Sequence, residues 1–384
     1  MRDILFLAHR VPFPPDRGDK IRSFHVLKHL AARARVHLVA FADDPADHYP
    51  APEFRGLLAT CTVVPRTKSR VRALAESLAT GRPVSLTAFA DRAIAAAVKA
   101  RSGMATYVFS GQMAQYVDAP DVMDFVDVDS AKFAAFADAA WGPMRWLMRR
   151  EARLLATFER EVAARGGASV FVSAAEAAVF GGARTAAIEN GIDTRHFDLA
   201  AAFERLPAQE GPLIVFTGQM DYRPNVEAVV AFARGALPAI RRRCPDARFA
   251  IVGRAPTREV RALAREEGVI VTGAVADVRP WLAAADVCVA PLLLARGVQN
   301  KVLEAMAMAR PVVASPAAAE GIDHGGSIRV SEDFADAVCA LLANAAVARA
   351  LGEGARAQVV RRYAWDARLA PLDALMGLEE ARAA

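Results

Sequence analysis

The chain of 384 residues contains only four cysteines, Cys61, Cys244, Cys288 and Cys339, all far apart. None shares a C-x-x-C spacing and no Cys/His cluster exists, which argues against a structural zinc and against a disulfide framework. Cys288 lies in an apolar run and reads as a small core residue. No apolar run reaches the roughly 18 residues that a membrane-spanning helix needs. Residues 4–8 are too short for a signal-peptide core and no cleavage site follows, so the reading places the protein in the cytoplasm. No G-x-G-x-x-G follows a strand and no G-x-x-x-x-G-K-[ST] occurs, which argues against a dinucleotide dehydrogenase and a P-loop NTPase. Aromatics make up 7%, and the arginines are scattered rather than interleaved with them, so nucleic acid is not an expected partner.

What is present suits a two-domain enzyme. Hydrophobic residues are 54%, charged residues 24%, and the net charge is +5. A chain of this length exceeds one ordinary core. The basic balance suits anionic ligands or an anionic membrane surface.

Short apolar runs alternate with helical stretches. Residues 4–8 and 36–41 read as strands around a helix over 20–32, a βαβ unit and hence a parallel sheet. Residues 62–64, 107–109, 122–126, 169–172 and 186–188 continue the series. The proline-rich loop over 9–20 contains Gly18, which permits unusual dihedrals. Ligands bind beyond the carboxyl ends of such strands, which directs attention to Arg10, Gly18, Arg22, Gly111-Gln112, Asp127, Asp129 and Ser130. Asp127-Val128-Asp129 spells D-x-D, but three letters recur by chance. The bland alternative has Asp129 or Ser130 capping a helix that begins near Ala131.

Residues 142–165 read as a long helix. Trp146, Leu147, Met148, Leu154, Leu155, Phe158 and Val162 form its apolar face, flanked by Arg145, Arg149, Arg150, Arg153 and Arg160. One reading is a membrane-surface helix. The other is a core-packed helix whose arginines pair with Glu151, Glu159 and Glu161 along the same helix.

The second half repeats the strand–loop–helix device. Residues 213–217 end at Gly218, 248–252 at Gly253 and 269–271 near Gly273. Glycine at a strand end lets a ligand approach the backbone. A short helix is expected over 276–282. Residues 297–314 carry the strongest signal. Gln299-Asn300 stand at the mouth of a helix whose first turn holds Lys301 and Glu304. A helix N-terminus offers unpaired N–H groups to phosphate, Lys301 adds a charge, and Glu304 can accept from two sugar hydroxyls. Residues 204–212, polar with two prolines, read as a linker. The expected division is 1–203, 204–364, and a last helix over 365–384 packing back on the first domain.

These features together resemble the GT-B glycosyltransferase fold, an α/β architecture of two Rossmann-like doubly wound parallel-sheet domains facing an interdomain cleft. Within it the chain resembles the family 4-like "glycosyl transferases group 1" enzymes. The resemblance rests on the Pro-rich loop with Gly18, on Asn190-Gly191-Ile192-Asp193-Thr194-Arg195-His196-Phe197, on Thr217-Gly218, and on Val302-Leu303-Glu304-Ala305-Met306-Ala307 before Pro311-Val312-Val313. Asp124 to Ser130, Gly218 to Asn225 and residues 296–304 are similar to sugar transferases of exopolysaccharide and PEP-CTERM/exosortase clusters.

The resemblance implies hexosyl transfer from a nucleoside diphosphate sugar to an acceptor hydroxyl, with retention of configuration. No tightly bound cofactor or metal is implied. The acceptor would be a glycan or lipid-linked, with peripheral contact to an anionic membrane at the cytoplasmic face of the inner membrane. Lys301, the backbone of Lys301 and Val302, and Arg296 or Arg223 would hold the diphosphate, and Glu304 the ribose. Gly253 and Val275 would edge the base. Gly218, Asn225, Gly297, Gln299 and Asn300 complete the donor side. Arg10, Gly18, Arg22, Asp127 and Asp129 would border the acceptor, with Asp127 positioning its hydroxyl. Two departures stand out: Arg296 occupies the position of the family's first glutamate, and Gln219 follows Gly218 where a basic pair is usual. Two other readings stay open. One is a sugar-nucleotide epimerase working through His9 and Asp127. The other is a nucleotide-sugar-binding protein without turnover.

Overall fold

The computed structural model describes residues 2–15, 17–208, 210–295 and 298–378. Arg296 and Gly297 therefore lie outside the described residues. The chain divides into two compact units, one of residues 1–190 together with those from Arg368 on, the other Gly191–Ala367. The crossing falls at 190/191, ahead of the proline-containing stretch read as the linker.

The first unit holds seven parallel strands: β1 (Asp3–Ala8), β2 (Arg35–Ala42), β3 (Thr60–Pro65), β4 (Ala105–Phe109), β5 (Val122–Val126), β6 (Ala168–Phe171) and β7 (Thr185–Ala187). Their order is β3-β2-β1-β4-β5-β6-β7. The run Ile4 to Ala8 is wholly buried, as expected of a strand covered on both faces. Leu5, Val39, Val108, Met123 and Phe171 belong to one core cluster of this unit. The first helix spans Gly18–Ala31, two residues earlier than the sequence suggests, so Gly18 opens a helix rather than bending a loop. The last helix, Trp365–Leu375, is tied to the first, because Asp373 accepts from His29 at 2.8 Å and Arg33 at 3.0 Å.

The second unit holds β8 (Leu213–Thr217), β9 (Arg248–Val252), β10 (Val269–Gly273), β11 (Val287–Ala290), β12 (Val312–Ala314) and β13 (Arg329–Val330). The order β10-β9-β8-β11-β12-β13, again all parallel, reverses between β8 and β11. That reversal opens a crevice at the carboxyl ends of the two strands, where ligands settle in open α/β sheets. The expected helix over 276–282 forms instead at Arg279–Ala284, because Asp277 turns the chain by accepting from the Arg279 N–H at 2.9 Å.

The helix after β5 corrects a further expectation. It begins at Asp129, and neither Asp129 nor Ser130 caps it. Carboxylates from distant helices do so. Glu176 accepts from the Val128 N–H at 2.7 Å, and Glu159 from the Ser130 N–H at 3.0 Å and from the Ser130 hydroxyl. The long helix forms over Gly142–Arg165, but among the described residues no ion pair within the helix joins its glutamates to its arginines. Glu151 and Glu159 are buried, and Glu151 accepts from the Val84 and Ser85 N–H groups at 2.7 and 2.8 Å.

Candidate active site

The helix Asn300–Ala307 packs Val302, Leu303, Ala305, Met306 and Ala307 into the second core. That burial fixes its rotation and leaves Asn300, Lys301 and Glu304 facing a pocket of about 710 Å³ at the β8/β11 crevice. The pocket is also lined by Gly218, Gln219, Tyr222, Asn225, Gly253, Arg254, Val275, Val298 and Gln299. The N–H groups of Asn300 and Lys301 have no partner among the described residues, so they remain available to an anion. Val302 does not contribute: it is buried and its N–H donates to the Gln299 carbonyl at 2.9 Å.

Lys301 is held from two sides. Its Nζ donates to Asn225 Oδ1 and lies 4.5 Å from the centroid of the Phe216 ring. Asn225 is itself buried, and its amide donates to the Gln219 carbonyl at 2.8 Å. One asparagine thus couples the cation to the loop after β8. Burial lowers the Lys301 pKa to about 8, against the pull of Glu304. Burial likewise pushes Glu304 up to about 7, against Lys301. Near neutrality the pocket holds a cation with a weakened hold on its proton and a carboxyl close to its midpoint, and a bound anion would steady the first.

Two glycines make the approach of the strand ends possible. A Cβ on Gly253 would stand 1.6 Å from the Gly218 carbonyl oxygen, and one on Gly218 would stand 2.8 Å from Asn225 Nδ2. Any side chain at Gly253 would wedge β8 and β9 apart, so its role exceeds that of a turn residue.

Arg223 is not brought to this pocket. It is 88% exposed at its side chain and pairs with Glu227 one turn on, at 2.7 Å. Arg254, by contrast, lines the pocket, and its guanidinium donates to Gln219 Oε1 at 3.0 Å. Sequence reasoning passed over Arg254, although it directly follows the strand-end glycine Gly253.

At the carboxyl edge of the first sheet, two residues other than glycine adopt positive φ, Ser110 at 78° and Val126 at 71°. For a β-branched residue this is a strained conformation, and the β5 register breaks there. Asp127 follows, partly exposed, and its carboxylate makes no hydrogen bond or ion pair among the described residues. Burial raises the pKa of Asp129, against Lys132 at 3.5 Å.

Arg22 does not border an open surface. It is 1% exposed, pairs with Asp124 at 2.9 Å, and donates to the Ile188 carbonyl at 2.7 Å and Asn190 Oδ1 at 3.1 Å. Arg10 lies between Asp19 at 3.1 Å and Asp43 at 3.2 Å. Gly18 has open space where a side chain would go and needs no special conformation. His9, weighed with Asp127 for an epimerase, belongs to this cluster. Its Nε2 faces Asp19 at 3.1 Å and its ring stacks on Phe109. Burial lowers the His9 pKa despite Asp19, which fits a neutral ring donating from Nε2.

Residues 211–344 match the family described as "Glycosyl transferases group 1", and that stretch contains every donor-side residue named above. A phosphatidyl-myo-inositol mannosyltransferase of Propionibacterium freudenreichii is 33% identical over 139 residues, 35% of this chain. The match spans about a third of that relative's length, 34%. Among solved structures, Anabaena Alr3699/HepE in complex with UDP aligns over 98% of this chain and 100% of its own, with a TM-score of 0.63 at 16% identity. A glycosyltransferase from Rickettsia africae aligns over 99% of both chains, with a TM-score of 0.63 at 13% identity. WaaG, a glycosyltransferase of lipopolysaccharide biosynthesis, covers 97% of this chain and 100% of its own, with a TM-score of 0.59 at 17% identity. At these identities the likeness is one of fold, the two-sheet α/β architecture named GT-B.

Proposed function

We propose, on the glycosyl transferases group 1 match in the second unit, that this protein transfers a hexosyl group from a nucleoside diphosphate sugar to an acceptor hydroxyl. The reading further takes the transfer to retain anomeric configuration and to serve exopolysaccharide or cell-surface glycan synthesis. One observation carries it. Lys301, Glu304, Asn225 and two open backbone N–H groups converge on one pocket at the strand-order reversal, where Gly218 and Gly253 admit a ligand to the backbone.

In this mechanism the diphosphate lies at the mouth of the helix Asn300–Ala307. Charge developing on the leaving oxygen is met by the Lys301 ammonium, the Asn300 and Lys301 N–H groups, and the Arg254 guanidinium. Glu304, as carboxylate, accepts from the ribose hydroxyls. Val275 and Gly253 edge the base. In the first unit Asp127, unpaired beyond a strained strand end, accepts from the acceptor hydroxyl. UDP-bound Alr3699/HepE makes UDP-sugars the first donors to test.

The test exposes purified protein to UDP-, GDP- and ADP-sugars, following melting temperature and nucleotide release, with Glu304→Ala and Lys301→Ala beside the wild type. A donor that shifts the wild type and not the variants, with acceptor-dependent release, is the expected result. If no nucleotide sugar shifts the wild type more than the variants, the donor assignment fails. Binding without release for any acceptor would support the binding-only reading. The anomeric proton of the product, read by NMR, decides retention.

A further inference from the structure

Cys244 and Cys339 stand far apart in the chain, yet their side chains meet in the second unit, within hydrogen-bonding reach of one another. Cys244 closes the helix Leu237–Arg243, and Cys339 lies in the helix Phe334–Leu342. Two further contacts clamp this part of the fold around the pair. Arg243 donates to Asp336 Oδ1 at 3.1 Å, one turn before Cys339, and the ring of Phe232 meets that of Phe334 edge-on at 6.0 Å. Cys339 is a core residue at 2% exposure, and Cys244 packs, partly buried, against the same core. The other two cysteines stand elsewhere, Cys61 in β3 of the first unit and Cys288 buried in β11.

Two thiols in contact stay as they are until an oxidant takes up two electrons. The surroundings assign the order of events. Cys244 is the more exposed sulfur, and burial raises the Cys339 pKa, so an outside reagent meets Cys244 first. The Arg243 guanidinium acts electrostatically on both thiols, and a cation beside a sulfur steadies the thiolate as it forms. The Cys244 thiolate attacks one sulfur of a low-molecular-weight disulfide such as oxidised glutathione. The reagent's S–S bond breaks, and one glutathione leaves as thiolate and takes up a proton. Cys339 then gives up its proton and attacks Cys244 Sγ, displacing the second glutathione. The protein loses two hydrogens, and the reagent carries them away as two thiols. Cys244 lies at a helix end rather than within one, so it can shift to the bonded sulfur separation of about 2.05 Å. The cross-link would enclose residues 245–338, the stretch that carries Gly253, Arg254, Lys301 and Glu304.

We propose that Cys244 and Cys339 are an oxidation site, forming a reversible internal disulfide at the expense of a low-molecular-weight disulfide and stapling two helices of the second unit together. In a reducing compartment the pair stays as thiols, and the link registers a shift in the thiol–disulfide balance. The assignment does not depend on the donor site, and its test uses no nucleotide. The reduced full chain is exposed to oxidised glutathione at mildly alkaline pH, digested without reduction and mapped by mass. Peptides carrying Cys244 and Cys339 should be joined, dithiothreitol should part them, and Cys61 and Cys288 should stay outside the link. The oxidised chain should melt about 5 °C above the reduced one, because the link constrains a long stretch of the unfolded chain. Cys339→Ser should leave one glutathione held on Cys244, whereas Cys244→Ser should leave Cys339 unmodified. Should the buried hydroxyl of Cys339→Ser prevent folding, Cys339→Ala takes its place, and the wild-type map decides without either. The proposal is overturned if both thiols stay free in the wild type, if glutathione remains on Cys244 with no link formed, or if the link joins two chains. An oxidised chain that melts below the reduced one would overturn the stapling role.

Discussion

Lys301→Met separates the charge of Lys301 from its bulk. The fall of its pKa from 10.5 to about 8 means that the folded protein holds the ammonium at a cost of about 3 kcal/mol near neutral pH. Methionine removes that cost. It also orphans the buried Asn225 Oδ1, worth about 1.5 kcal/mol, and ends the contact over Phe216 at 4.5 Å, worth about 1 kcal/mol. The balance leaves the nucleotide-free variant as stable as the wild type or slightly more so, by about 0.5 kcal/mol. Nucleotide diphosphate affinity should fall about a hundredfold, the loss of one charge-assisted donor of about 3 kcal/mol. Calorimetric titration with UDP and GDP gives the affinity, and thermal denaturation without nucleotide gives the stability. The two should also diverge with pH in a set direction. Because the folded pKa lies below the unfolded one, the penalty is complete below about pH 8 and absent above about 10.5. Raising the pH through that window should therefore stabilise the wild type relative to the variant. A variant that binds nucleotide within about threefold of the wild type, or that melts more than about 5 °C lower, would refute the reasoning.

Other outcomes follow from the same geometry. Nucleotide affinity should peak between about pH 7 and 8, since Glu304 must be ionised above about 7 and Lys301 protonated below about 8; a titration series across pH 5.5–9.5 that is flat would contradict this. Gly253→Ala, with its Cβ 1.6 Å from a carbonyl oxygen, should abolish binding and lower the melting temperature, whereas Gly273→Ala, strained at φ +70° but with open space, should cost only about 1 kcal/mol. Arg254→Ala should weaken nucleotide binding about tenfold, while Arg223→Ala leaves it unchanged; the reverse ranking by calorimetry would return the assignment to Arg223.

Much of the architecture was legible in the sequence because the strands are short continuous apolar runs between turn residues, a pattern that each segment carries by itself. The same is true of the helix after β11. Five apolar side chains on one face of eight residues leave Asn300, Lys301 and Glu304 on the other, whatever surrounds them. Gly218 and Gly253 were also marked by position alone, at strand ends.

Tertiary structure decided which charged groups meet, because that depends on strand order and register rather than on local periodicity. Arg223 and Arg254 looked alike as flanking arginines. The pairing of β8 with β9 sets Arg254 against Gln219, while helical spacing gives Arg223 to Glu227. Asn225 gains its importance from Lys301, 76 positions away, and the helix at Asp129 is capped by carboxylates 29 and 48 positions on. Arg22, read as a rim residue, became a buried partner of Asp124 because the first helix packs against the sheet. What the sequence determined by itself was the identity of the elements and the chemistry each presents; long-range burial, which fixes where a charge can be neutralised, determined which of those charges form a site.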